Sequence, residues 1–103
     1  MKIIKVIYTA KPEFVEQNMD NIKAVMNDLQ QLNNPNIFYH SCLGADGKTF
    51  IHTAFYKSEE DQKVLNELAS FKYFQEQLKS KGLEVPPKQE LLTLVGSSSN
   101  IFN

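Results

Sequence analysis

Two short runs, IFYHSCL over residues 37–43 and TFIHTAFY over residues 49–56, hold most of the side chains here that could do chemistry. Side chains alternate along extended backbone, so Phe50, His52, Ala54 and Tyr56 share one face of the second run. The Asp46-Gly47 step between the runs is a hairpin signal, and a two-residue turn there sets Tyr39 and Ser41 beside them. An imidazole, two phenols and a hydroxyl among apolar neighbours have the make-up of a small-molecule pocket, in which a few oriented polar groups sit in hydrophobic walls. In that setting His52 suits a general base or anchor near neutral pH, with Tyr39 or Tyr56 holding a phenolic or carbonyl oxygen. The same residues equally suit an interface between two copies, where tyrosine is enriched.

The other candidates carry less. His40 falls on the opposite parity, with Phe38 and Cys42, and is expected to point toward the helices as a packed, hydrogen-bonded histidine. A three-residue hairpin loop would bring His40 and His52 onto one face, but two histidines without a strand carboxylate make no metal site, and no metal is expected. Cys42 is expected to be a buried, inert thiol. Glu59-Glu60-Asp61 suits the positive end of a helix. With Gly44, Gly47, Gly82 and Gly96 the only glycines, there is no phosphate-cradling loop, so no nucleotide cofactor is expected and the cofactor expectation is none.

These residues need elements to hold them. Residues 2–9, rich in β-branched types, predict a first strand that stops before Lys11-Pro12. Val15, Met19, Ile22, Val25, Met26, Leu29 and Leu32 recur at steps of three and four, predicting a helix from Pro12 to about Leu32. Asn33-Asn34-Pro35-Asn36 should stop it. The two runs above are the second and third strands. Ser58, with Asp61 three residues on, predicts a capped helix striped by Val64, Leu65 and Leu68, continued past a break near Ser70 by Phe71, Phe74 and Leu78, and ended by Gly82. After Pro86-Pro87 a last strand is expected from Gln89 to Val95. Residues 1–96 then form a single domain, and 97–103 a flexible C-terminal tail.

The order β-α-β-β-α-β predicts an α+β, ferredoxin-like fold, a four-stranded antiparallel sheet with two helices on one face. Both faces of its strands are apolar. The first strand offers Ile4, Val6 and Tyr8 to one side and Ile3 and Ile7 to the other; the hairpin offers Phe38, Ile51 and Phe55 against Ile37, Tyr39, Leu43, Phe50 and Tyr56. Two helices cover one face only, and an apolar face left in water exceeds what monomers tolerate. A second copy packed sheet to sheet, a symmetric homodimer, is therefore the expected partner.

Composition narrows the classes further. Eleven Lys and Arg against twelve Asp and Glu give a formal charge of −1, without the basic field a nucleic-acid or membrane-surface binder relies on, so neither partner is expected. A lone cysteine excludes an intramolecular disulfide and fits a reducing, cytoplasmic location. The opening apolar run is broken by Lys5 and is too short for a signal-peptide core, and nowhere do eighteen apolar residues run together.

Aromatic Tyr56 followed by Lys-Ser-Glu-Glu-Asp, then LASFKYFQEQL and a final short strand, resembles the antibiotic biosynthesis monooxygenase group of the dimeric α/β-barrel superfamily. The resemblance spans nearly the whole chain. It implies two ferredoxin-like protomers closed face to face, each inner sheet face lining a cavity for a hydrophobic ligand, in a group that includes cofactor-independent oxygenases of aromatic compounds. Tyr56 falls where the group usually has Trp, Glu67 falls near the helix position where many members have His, and the first strand lacks the Asn of catalytic members. The expected site is thus His52 and Tyr56 as catalytic candidates, with Tyr39, Ser41, Phe50 and Glu67 contacting a small apolar ligand. Two functions follow: small-molecule binding with cofactor-independent oxidation of an aromatic or quinol-like compound, or a non-catalytic dimeric binding or assembly domain.

Overall fold

The computed structural model describes residues 1–102. Strand β1 (Lys2–Ala10) leads through a single 3-10 turn (Pro12–Phe14) into helix α1 (Val15–Leu32). Strands β2 (Ile37–Leu43) and β3 (Thr49–Tyr56) follow, then helices α2 (Glu59–Glu67) and α3 (Ala69–Gln77), a π turn (Leu78–Gly82) and strand β4 (Leu83–Leu92). The sheet is antiparallel in the order β2-β3-β1-β4. This is the expected α+β, ferredoxin-like arrangement, with β1 and β3 at its centre.

Local chemistry sets the boundaries. Asn33 ends α1 in the left-handed conformation at φ 52°, which Asn tolerates better than most residues, so the helix stops two residues ahead of Pro35. Ser58 and Asp61 form the expected capping box at α2, satisfying two amides that the first turn leaves unpaired. The expected break in the second helix falls at Leu68, which is extended (ψ 130°) and separates α2 from α3.

The hairpin loop is longer than two residues but keeps the expected register. The Gly44 N–H donates to the Thr49 carbonyl at 2.7 Å and the Gly47 N–H to the Gly44 carbonyl at 3.0 Å. Gly47 supplies the positive φ, 75°, that a side chain would resist. Asp46 accepts from the Lys48 and Thr49 amides at 3.0 and 2.8 Å; these bonds and that from the Thr49 hydroxyl hold its carboxyl down at about 2. The resulting pairs include Tyr39 with Ala54 and Ser41 with His52.

The last strand departs from expectation. It begins before Pro86-Pro87 and ends at Leu92, leaving Thr93 to Val95 outside it. Proline cannot donate to a ladder, but β4 is an edge strand, where the loss is tolerable. The register against β1 shifts between Ile7 and Thr9 and again before Ala10, so the ladder skips past the prolines and resumes.

Tyr8, Ala10, Phe50, Ala54 and Tyr56 from the sheet pack with Phe14, Ile22, Val25, Leu65, Phe71, Phe74 and Leu78 in one core. This settles which sheet face meets the helices, and it reverses the expectation. His40 and Phe38 are exposed, on the side away from the helices, and Cys42 is an exposed thiol rather than a buried one. Because both faces of β2 and β3 are apolar, alternation fixed which residues travel together but not which set meets the helices.

Candidate active site between sheet and helix

His52 lies on central strand β3 with its ring pointing into the helix-covered layer, 4% exposed. Neighbouring central strand β1 brings Tyr8 against it, the rings stacked with centroids 5.3 Å apart. Edge strand β2 supplies Tyr39, edge-on at 5.8 Å, and α3 closes the far side with Phe74 at 5.4 Å. Two phenols hold the imidazole: the Tyr39 hydroxyl lies 2.7 Å from Nδ1 and the Tyr8 hydroxyl 2.8 Å from Nε2. Asn18 on α1 donates from Nδ2 to the Tyr8 hydroxyl at 2.8 Å. Ser41 Oγ stands 3.5 Å from Nε2, at the edge of hydrogen-bond reach. His52, Tyr8 and Tyr39 therefore bond to one another within the chain.

Burial sets the electrostatics. Removal from water disfavours the imidazolium and pushes His52 down to about 4, so the ring is neutral at pH 7. The same cause holds Tyr8 and Tyr39 well above the ordinary phenol range, Tyr39 further raised by Tyr56 and Tyr8. Tyr56 is pushed up to about 12. All four groups are uncharged at pH 7, and three of them, Tyr8, His52 and Tyr39, are hydrogen-bonded to one another.

Beside this cluster runs a cavity of about 560 Å³, walled by Val6, Tyr8, Tyr39, His52, Phe71, Phe74, Leu78 and Leu83, with exposed Gln75, Lys79, Pro87 and Gln89 at its rim. A smaller pocket of about 110 Å³ shares Val6, Tyr39, His52, Phe71, Gln75 and Gln89 and adds Tyr56, Gln62 and Asn66. The cavities lie within the chain, between sheet and helices, and not on the opposite sheet face, where the resemblance implied a ligand cavity. Phe50 stacks on Tyr8 at 5.5 Å and borders, with Ser41, a separate groove of about 420 Å³ against α1. Glu67 is exposed at the end of α2 and lines none of these.

The structure thus gathers His52, Tyr39 and Tyr56 at one cavity system, leaves Ser41 and Phe50 flanking it, and separates Glu67. Sequence reasoning missed Tyr8 and Asn18. For Asn18 a signal existed: it lies three residues after Val15 and four before Ile22, a polar residue inside the apolar stripe of α1. His40 and His52 are on opposite sheet faces, and among the described residues no three His, Cys, Asp or Glu side chains cluster as a metal would require.

A protein from Nitrosomonas europaea, provisionally named an antibiotic biosynthesis monooxygenase, superposes with a TM-score of 0.76 over 93% of this chain and 100% of its own, at 18% identity. The fold is the one seen in antibiotic biosynthesis monooxygenase-like proteins. A similarly named Bacteroides thetaiotaomicron protein gives 0.78 over 96% of this chain and 93% of its own at 14% identity. A Nitrosomonas europaea protein of unknown function gives 0.72 over 96% and 94% at 15% identity. No protein-family model and no curated protein matches the sequence. The likeness is one of fold, as the sequence resemblance implied, and no helix of the described residues is long and apolar enough to cross a membrane.

Proposed function

We propose that this chain binds an aromatic or quinol-like small molecule in the cavity between its sheet and α3. The observation that carries the reading is an imidazole hydrogen-bonded at both nitrogens by phenols, set in the wall of a largely apolar cavity of about 560 Å³, a size and make-up suited to a compact ring system. The activity that fits is cofactor-independent oxidation: a bound quinol gives two electrons and two protons to dioxygen, leaving quinone and hydrogen peroxide. Tyr39 and His52 would orient the ring oxygen and keep bulk water out. His52 is a weak base at about 4, so it serves as a neutral hydrogen-bond partner rather than as the proton acceptor for a phenol. This same weakness favours the second reading, a binding domain without catalysis.

Oxygen uptake with a naphthohydroquinone tests the first reading. The expected result is uptake above the spontaneous rate, falling at least tenfold in His52→Gln and Tyr39→Phe. Binding without uptake removes oxidation and keeps the binding reading.

Self-association is the other part of the proposal. The sheet face away from the helices presents Phe38, 53% exposed, with Phe55 opposite it and Ile51 further along β3 opposite Cys42, and Phe38, His40 and Phe55 form an aromatic cluster with centroids 5.7 to 6.4 Å apart. A second copy packing the same face against it would bury this surface in a two-fold dimer.

A further inference from the structure

The hydrogen bonds around His52 have a direction, and the direction starts at Asn18. Asn18 is completely buried; its Nδ2 donates to Tyr8 and its Oδ1 has no partner. The amide orientation that places Nδ2 2.8 Å from the Tyr8 oxygen makes Asn18 the donor; the opposite orientation would give Tyr8 an acceptor and reverse the chain, and the tautomer of His52 distinguishes the two. The Tyr8 oxygen therefore accepts from Asn18 and must place its own proton elsewhere. Its one other side-chain partner among the described residues is His52 Nε2, at 2.8 Å. A neutral imidazole carries a single N–H, so with Nε2 accepting, the proton sits on Nδ1 and is donated to the Tyr39 oxygen at 2.7 Å. Tyr39 then has its own hydroxyl proton left over, and Tyr39 lines the cavity.

We infer that Asn18 is a positioning residue which, through Tyr8 and His52, makes Tyr39 a hydrogen-bond donor toward the cavity, so that the ligand meets it with an acceptor oxygen, a carbonyl or phenolic oxygen, and not with an ammonium or other donor-only group. The inference rests on the proposal that the cavity takes a ligand. The direction of the chain is nevertheless a property of the unliganded protein and is measured without one. A reversed chain would place the imidazole proton on Nε2 and turn Tyr39's proton inward to Nδ1.

The test is a long-range ¹H–¹⁵N correlation spectrum of the full chain labelled at histidine, at pH 7, which reports which ring nitrogen of His52 bears the proton. The expected result is the Nδ1–H tautomer, and an Nε2–H tautomer overturns the inference. Asn18→Asp with its carboxylate ionised, which the ¹³C shift of the carboxyl group reports, supplies only an acceptor to Tyr8 and should switch His52 to Nε2–H; a folded variant that keeps Nδ1–H with the carboxylate ionised also overturns it. Tyr39→Phe, which keeps the ring packing, is the second variant. In titrations, 1,4-naphthoquinone should bind the unmodified protein at least tenfold more tightly than naphthalene, and Tyr39→Phe should abolish that preference. A preference that survives in Tyr39→Phe refutes Tyr39 as the donor. Nδ1–H with neither compound bound upholds the chain's direction and refutes the ligand reading instead.

Discussion

Burying His52 as a neutral ring makes the protein's stability fall on acidification, by an amount its environment sets. Unfolded, the imidazole titrates near 6.5; folded, burial holds it at about 4. The unfolded state therefore binds more protons between those values, and stability is lost as pH falls through that window. At about 1.36 kcal/mol per pK unit the full difference is about 3 kcal/mol, of which about 2 kcal/mol is lost between pH 7.5 and pH 5. That is a large fraction of the 5 to 15 kcal/mol typical of such domains. Urea denaturation at half-unit steps across this range measures it, with His52→Gln as the comparison, since an amide has no proton to gain. The expected result is a loss of stability in the unmodified protein that is about 2 kcal/mol greater than in His52→Gln. His40 is exposed and common to both proteins, so it cancels. Parallel curves for the two proteins would refute the buried, neutral histidine and with it the electrostatics of the cluster.

Other substitutions test the frame around the site. Gly82→Ala would set a Cβ 2.5 to 2.6 Å from the Phe14 ring, in a buried corner with little room to yield, and should cost about 1 to 3 kcal/mol in urea titrations. Ser58→Ala removes one half of the capping box at α2 and should cost about 1 kcal/mol. Leu65→Ala empties a position with no exposed surface and should cost about 2 to 5 kcal/mol. Light scattering should return twice the chain mass at micromolar concentration, and Phe38→Asp should shift the protein toward monomer with its circular dichroism unchanged; a folded monomer in the unmodified protein would refute the sheet-to-sheet dimer.

Much of the fold was legible because strand and helix periods are strong signals here. The hairpin register survived a wrong loop length, since the four residues Ala45 to Lys48 are centred on the same Asp46-Gly47 step. Tyr39, Ser41, His52 and Tyr56 were therefore placed on one face correctly. Which face meets the helices was not legible, because Phe38, Ile51 and Phe55 are as apolar as the opposite set, and this put His40 and Cys42 on the wrong side. Pro86-Pro87 read as a stop ahead of a strand over Gln89 to Val95, whereas β4 runs through both prolines from Leu83 to Leu92, as an edge position permits. Glu67 was placed through family likeness alone; α2 reaches the smaller pocket through Gln62 and Asn66, while Glu67 is exposed and lines none of the pockets. Tyr8 escaped because its role depends on β1 and α1 meeting at His52, a contact between segments that no local pattern encodes; Asn18 left a trace, a polar residue in the apolar stripe of α1, but not its partner.

The space bounded by Tyr39, His52 and Phe74 is the proposed ligand site. A crystal structure of the protein soaked with 1,4-naphthoquinone tests it most directly. Electron density for the quinone is expected in the cavity between the sheet and α3, with one oxygen within hydrogen-bond reach of the Tyr39 hydroxyl. Quinone bound elsewhere, or an empty cavity at saturating concentration, would contradict it.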